Sequence, residues 1–194
     1  MTADIFPSLL SSFGLVAIAE IGDKSQLVCM ALAARHPHWP VFWGASTAFM
    51  LLNLIAVLFG VGVASWIPES VLTAAVTLLF FAFGLQALLA KTEEEDIDLN
   101  QAPSRSIFMT TLAMIVMSEF GDKTQIAVAG LSTSMPLVAV WLGASLALIL
   151  LTALGVWLGK ALLKTLPLQW LQRIAGALFL TFATFAGYRL FTLF

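Results

Sequence analysis

The stretch Glu20-Ile21-Gly22-Asp23-Lys24-Ser25-Gln26 returns as Glu119-Phe120-Gly121-Asp122-Lys123-Thr124-Gln125, 99 residues further along the chain. The register holds well beyond the heptapeptide. Pro37 falls on Pro136, Gly44-Ala45-Ser46 on Gly143-Ala144-Ser145, Gly60 on Gly159, Pro68 on Pro167, and Phe80 and Phe83 on Phe179 and Phe182. Apolar segments resemble one another by composition, so leucine on leucine carries little weight. Matched glycine, proline and charged positions are hard to obtain by chance and mark an internal duplication. It divides the chain into a first repeat, residues 1–90, an acidic linker, residues 91–105, and a second repeat, residues 106–194.

The sequence around the two motifs is apolar. Of 194 residues 60% are hydrophobic and 10% charged, against about 25% charged in soluble domains, which excludes a water-soluble fold. A helix needs about 20 apolar residues to span the hydrocarbon core, and long, largely apolar stretches make room for six: Phe6 to Ala34, Val41 to Ala64, Val71 to Ala90, Ser106 to Thr133, Leu137 to Gly159 and Leu168 to Phe194. The expected fold is an all-α membrane protein with six transmembrane helices in two three-helix repeats. Three is odd, so the second repeat must lie inverted in the bilayer, the plan of many secondary transporters.

Positive charge sets orientation. Arg35, Lys91, Arg105, Lys160, Lys164 and Arg173 fall on the side of the linker, and Arg189 alone near the other. The linker side is expected to be cytoplasmic, with both termini outside. Asp4 stands where a signal peptide would carry Lys or Arg, so the first span reads as a retained helix. The run Glu93-Glu94-Glu95-Asp96 reads as a solvated connector, and only secondarily as a lure for cations. A net charge of −2 without a basic run excludes nucleic acid as a partner. Cys29, the single cysteine, allows neither an internal disulfide nor a cysteine-based zinc site. No nucleophile-base set, HExxH or phosphate-binding glycine loop is present, so the chain does not read as an enzyme.

Of 11 acidic residues, the spans leave four deep in the bilayer: Glu20, Asp23, Glu119 and Asp122. Ionised groups at mid-membrane face a cavity or one another and mark a transport path. At about 100° per residue Glu20 and Asp23 share a helix face, flanked by Lys24 and Gln26, with Ser25 turned away. Gly22 and Gly121 permit either close approach of a neighbouring backbone or a local break that redirects Ser25 and Thr124. Brought together by the inverted repeat, the set offers four carboxylates, the amides of Gln26 and Gln125, and the hydroxyls of Ser25 and Thr124. Such hard oxygen ligands suit Mg, Ca or Mn. Four carboxylates less Lys24 and Lys123 leave a charge of −2, which one divalent cation or two protons neutralise. The competing structural reading pairs Glu20 with Lys24 and Glu119 with Lys123 along one helix, i to i+4.

Weaker candidates follow. Asn53, Ser46 and Ser145 suit hydrogen bonds between helices better than metal ligation, and Ala56-x-x-x-Gly60 and Gly155-x-x-x-Gly159 read as close-packing faces. His36 and His38, beside Trp39, fit an interfacial loop.

The doubled Glu-x-Gly-Asp-Lys-Ser/Thr motif, each copy in the first helix of a three-helix repeat with an acidic loop between, resembles the Gdt-type (MneA-type) family of small cation exchangers. That resemblance covers nearly the whole chain and implies that Glu20, Asp23, Glu119 and Asp122 coordinate the transported metal in cation/proton antiport. It implies Mn2+ or Ca2+ as cargo and no cofactor. The start of the chain lacks an organellar extension, so a bacterial inner-membrane member and manganese export are expected. Readings still open beside it are a Ca2+/H+ exchanger, an exporter of small organic cations, and a non-transporting membrane scaffold held by buried ion pairs.

Overall fold

The computed structural model describes residues 5–89, 107–165 and 168–192; the linker expected at 91–105 and the repeat boundaries at 90 and 106 lie outside them. Every regular element there is helical: α1 (Ile5–Glu20), α2 (Lys24–Ala33), α3 (His38–Ala64), α4 (Glu69–Leu89), α5 (Ile107–Glu119), α6 (Lys123–Ser132), α7 (Leu137–Thr165) and α8 (Leu168–Thr192). Two helices appear where each first span was expected, because each is broken at the glycine of its motif. Gly22 has φ 81° and Gly121 φ 80°. Left-handed backbone costs other residues about 1–2 kcal/mol, so glycine lets the chain leave one helix and enter the next within three residues. A Cβ at Gly121 would meet nothing within 4 Å, which decides there for the break over close approach. The axis turns by 69° between α1 and α2.

α3 and the segment Leu137–Leu158 of α7 are each long and apolar enough to cross a bilayer, and the bent pair α1–α2 makes a third such unit. Shorter apolar stretches occupy α4, α5 and α8, at Ser70–Gln86, Ile107–Glu119 and Gly176–Tyr188. Large apolar side chains face outward along the bundle, among them Leu54, Leu58, Leu78 and Phe81. An apolar exterior of this extent suits lipid and not water. The chain is an all-α membrane protein.

Contacts recur in the 99-residue register. α1 packs on α7, and α5 on α3. A Cβ on Gly44 would fall 2.6 Å from the Phe108 carbonyl oxygen and 3.0 Å from Thr111 Cβ; one on Gly143 would press on the Leu9 carbonyl and the Ser12 hydroxyl. Leu9 and Ser12 are the repeat partners of Phe108 and Thr111, so glycine admits the same close approach twice. The equivalent helices α3 and α7 run antiparallel, Asn53 meeting Ser145 while His38 stacks on Trp157. α4 and α8 also cross antiparallel, at Gly84 and Gly176. Within that crossing Phe80 and Phe182, and the equivalent Phe83 and Phe179, have ring centroids 5.9 Å apart in both cases.

The α4–α8 pair is symmetric inside but sits off-centre on the rest. α8 packs on α1 and α4 on α6, while the equivalent contacts with α2 and α5 are barely made among the described residues. At the end of α5 and just past it, Met117 is 84% and Phe120 67% exposed. Their repeat partners Ile18 and Ile21 are half-buried.

Candidate metal centre

Each break ends one helix at a glutamate and starts another after an aspartate: Glu20 and Glu119 close α1 and α5, and Asp23 and Asp122 precede α2 and α6. The acids expected on one continuous helix face therefore stand on two helix ends. The N-termini of α2 and α6 direct partial positive charge toward them. Asp122 holds the N-cap position of α6 in extended backbone, but its side chain makes no capping hydrogen bond.

The glutamines hold the breaks. The Gly22 N–H donates to Gln26 Oε1 at 2.7 Å, and the Gly121 N–H to Gln125 Oε1 at 2.6 Å. Each amide nitrogen then donates to the opposite repeat, Gln26 Nε2 to the Leu151 carbonyl at 3.4 Å and Gln125 Nε2 to the Leu52 carbonyl at 3.3 Å. These two amides, candidates for the metal, are engaged in shaping the breaks and anchoring them to α7 and α3.

On an unbroken helix Ser25 and Thr124 would turn away. After the break the Thr124 hydroxyl donates to Glu20 Oε1, and Ser25 stands near enough to the Glu119 carboxylate to act on it. Each repeat thus brings a hydroxyl to the other's glutamate. The Lys123 ammonium lies 2.6 Å from Asp23 Oδ2, also across the repeats. This differs from the competing reading, a Glu119–Lys123 pair along one helix: i, i+4 neighbours meet on continuous helix, and the break lies between them. The side chain of Lys24, and with it a Glu20–Lys24 pair, lies outside what the structure describes.

One oxygen each from Glu20, Asp23 and Asp122 lies within 4.8 Å of the others. A single point therefore lies within about 2.8 Å of all three, slightly beyond the 2.3–2.6 Å of calcium–oxygen bonds, so a small inward shift makes a three-oxygen site. Glu20 is 2% exposed. Its Oε2 has no hydrogen-bond partner among the described residues. A buried carboxylate oxygen without a partner is costly, and a cation or water relieves that cost. Glu119 is also buried and near enough for its charge to act on Glu20, though it stands outside the close trio.

Other polar groups cluster at the α3–α7 crossing. Asn53 Nδ2 donates to Ser145 Oγ at 3.2 Å, the interhelical bond expected of them, whereas Ser46 Oγ is buried without a partner among the described residues. Thr152, which lines a small cavity beside Glu20, was not anticipated. The available signal was its register, since Thr152 stands 99 residues from Asn53.

A sequence-family profile described as "Divalent cation/proton antiporter GDT1" matches residues 8–95 and 107–192. An Arabidopsis thaliana protein named GDT1-like protein 3 is 28% identical over 92% of this chain and 70% of its own length. A Vibrio cholerae protein named "Putative manganese exporter" is 28% identical over 94% of this chain and 91% of its own. No solved structure matches the chain significantly.

Proposed function

The chain belongs to the GDT1 family of divalent cation/proton antiporters, and from that premise we propose that it exports Mn2+ in exchange for protons through the carboxylates at the two helix breaks. The observation that carries this reading is the close trio of Glu20, Asp23 and Asp122, drawn from both repeats, in which Glu20 is buried and keeps one oxygen without a partner among the described residues. Glu119 completes the charge. Manganese is preferred because of the name of the Vibrio relative; the oxygen donors suit Ca2+ as well.

The transport geometry follows from six spans in two inverted repeats, with the linker cytoplasmic and both termini outside a bacterial inner membrane. In that orientation α1 and α6 form the outer halves of the broken spans, and α2 and α5 the inner halves. The α4–α8 pair leans on α1 and α6, so it covers the outer approach and leaves the inner approach at Phe120 and Gly121 uncovered. This is the metal-loading state. Tipping the pair onto α5 and α2 exposes the site outside, where protons take the carboxylate oxygens and release the metal. At a site of net charge −2, two protons replace one metal without moving net charge.

The deciding experiment is flux into proteoliposomes at a fixed pH gradient, with Mn2+ and Ca2+ compared. Mn2+ flux coupled to proton movement supports the proposal, Ca2+ flux alone replaces manganese with calcium, and no flux of either ion returns the chain to the scaffold reading.

A further inference from the structure

A small cavity of about 10 Å3, room for about one water, lies against Glu20 and is lined also by Ser25, Gln26, Phe49, Leu148 and Thr152. Thr124, which holds Glu20 Oε1, does not line it, and Oε2 is the Glu20 oxygen without a partner among the described residues. Its polar rim consists mainly of acceptors. Thr152 already donates its hydroxyl hydrogen to the Leu148 carbonyl at 2.7 Å, and Ser25 stands near the Glu119 carboxylate. Both hydroxyl oxygens keep lone pairs, and a carboxylate oxygen accepts only. A guest that brings two hydrogens and no bulk fits such a rim.

We propose that this cavity is a single-water site and that Thr152 is a positioning residue for Glu20. The water donates one hydrogen to Glu20 Oε2 and the other to Thr152 Oγ1, fixing the carboxylate in the orientation in which it meets Asp23 and Asp122. The duplication accounts for the cavity. In the first repeat the equivalent position is Asn53, whose longer amide reaches across to Ser145. The shorter Thr152 leaves its own counterpart Ser46 unpartnered and leaves a water-sized gap where an amide would stand. This inference rests on the reading of Glu20 as a metal ligand.

The test uses the full-length protein in detergent and Mn2+ titration calorimetry on Thr152→Val, Thr152→Ser and Asp23→Asn, with unfolding midpoints measured without metal. Valine keeps the volume and removes the acceptor oxygen. Loss of a group that orients a ligand typically costs 10–100-fold in metal affinity, so Thr152→Val is expected to bind Mn2+ about tenfold more weakly, at an unfolding midpoint close to wild type. Thr152→Ser is expected to bind within about twofold of wild type, since it keeps the oxygen that orients the ligand. A role in packing alone gives the reverse order, serine impaired and valine normal, and that result overturns the proposal. If Asp23→Asn loses binding while Thr152→Val keeps it, the water site is wrong and the metal site stands; if Asp23→Asn also binds normally, the metal site itself is wrong.

Discussion

The Asp23–Lys123 contact gives the sharpest quantitative test of the shared site. In Asp23→Asn the shape is kept, one ligand charge is lost and the Lys123 ammonium loses its partner. That ammonium is 2.6 Å from the Asp23 oxygen, so a metal held by the trio lies roughly 5 Å from it. At an effective dielectric constant of about 20, a unit charge and a divalent ion at about 5 Å repel by roughly 6–7 kcal/mol. In the wild type the aspartate offsets most of this. Lys123 is 35% exposed and can swing toward solvent, so about a third of the repulsion surviving is a conservative figure. That is about 2 kcal/mol, or about 30-fold weaker Mn2+ binding, before the lost ligand bond is counted. Adding Lys123→Gln removes the repelling charge and should recover several-fold in affinity. Calorimetric titration of wild type, single and double variants measures both effects, with size-exclusion profiles to show that each variant folds. An Asp23→Asn affinity within about twofold of wild type, or a double variant weaker than the single, would refute the reasoning.

Asp23→Asn and Asp122→Asn should each nearly abolish proteoliposome flux, and wild-type flux in both would eliminate the site. Acidification should weaken Mn2+ binding: the metal needs deprotonated carboxylates, binding expels protons, and apparent affinity therefore falls as pH falls. Titrations at about pH 8 and about pH 6 that give one affinity would exclude proton competition. Gly121→Ala tests the break by itself, because the new Cβ meets no neighbour; the left-handed backbone alone should cost about 1–2 kcal/mol in unfolding measurements, and an unchanged stability would argue for continuous helix in solution. In a Cys29→Ala background, cysteines at Ser8 and Thr181, which line one crevice between α1 and α8, should cross-link in the metal-loading state. The register-equivalent pair at Ile107 and Ala82 should cross-link only as the first pair declines, and strong cross-linking of both pairs together would refute the tipping of α4–α8.

The duplication was legible because glycine, proline and charged residues recur in one register, and the deep acids because nothing else in the spans carries negative charge. Where Gly22 and Gly121 act was not decidable from sequence. A glycine in a helix serves close packing and breakage equally well, and only backbone dihedrals distinguish the uses. Gly44 and Gly143 illustrate the other outcome, since a neighbouring helix fills the space beside them. The Asp23–Lys123 pair was invisible for a related reason. Helix periodicity ranks partners within a helix, and this pair forms across repeats at a point where periodicity lapses. The glutamines were recognised as belonging to the site, but an amide offers the same donors and acceptor whether it meets a metal or a glycine N–H.

The α4–α8 crossing bears on which way the protein can run. Its aromatic centre presents the same contacts toward either end, so the proposed tipping would preserve that centre and change only the helices on which the pair rests. That centre by itself favours neither pose. On the proposed exchange, a membrane that inverts the proton gradient should therefore drive the same molecule to load its ion from outside, and direction would be set by the gradients on the two sides.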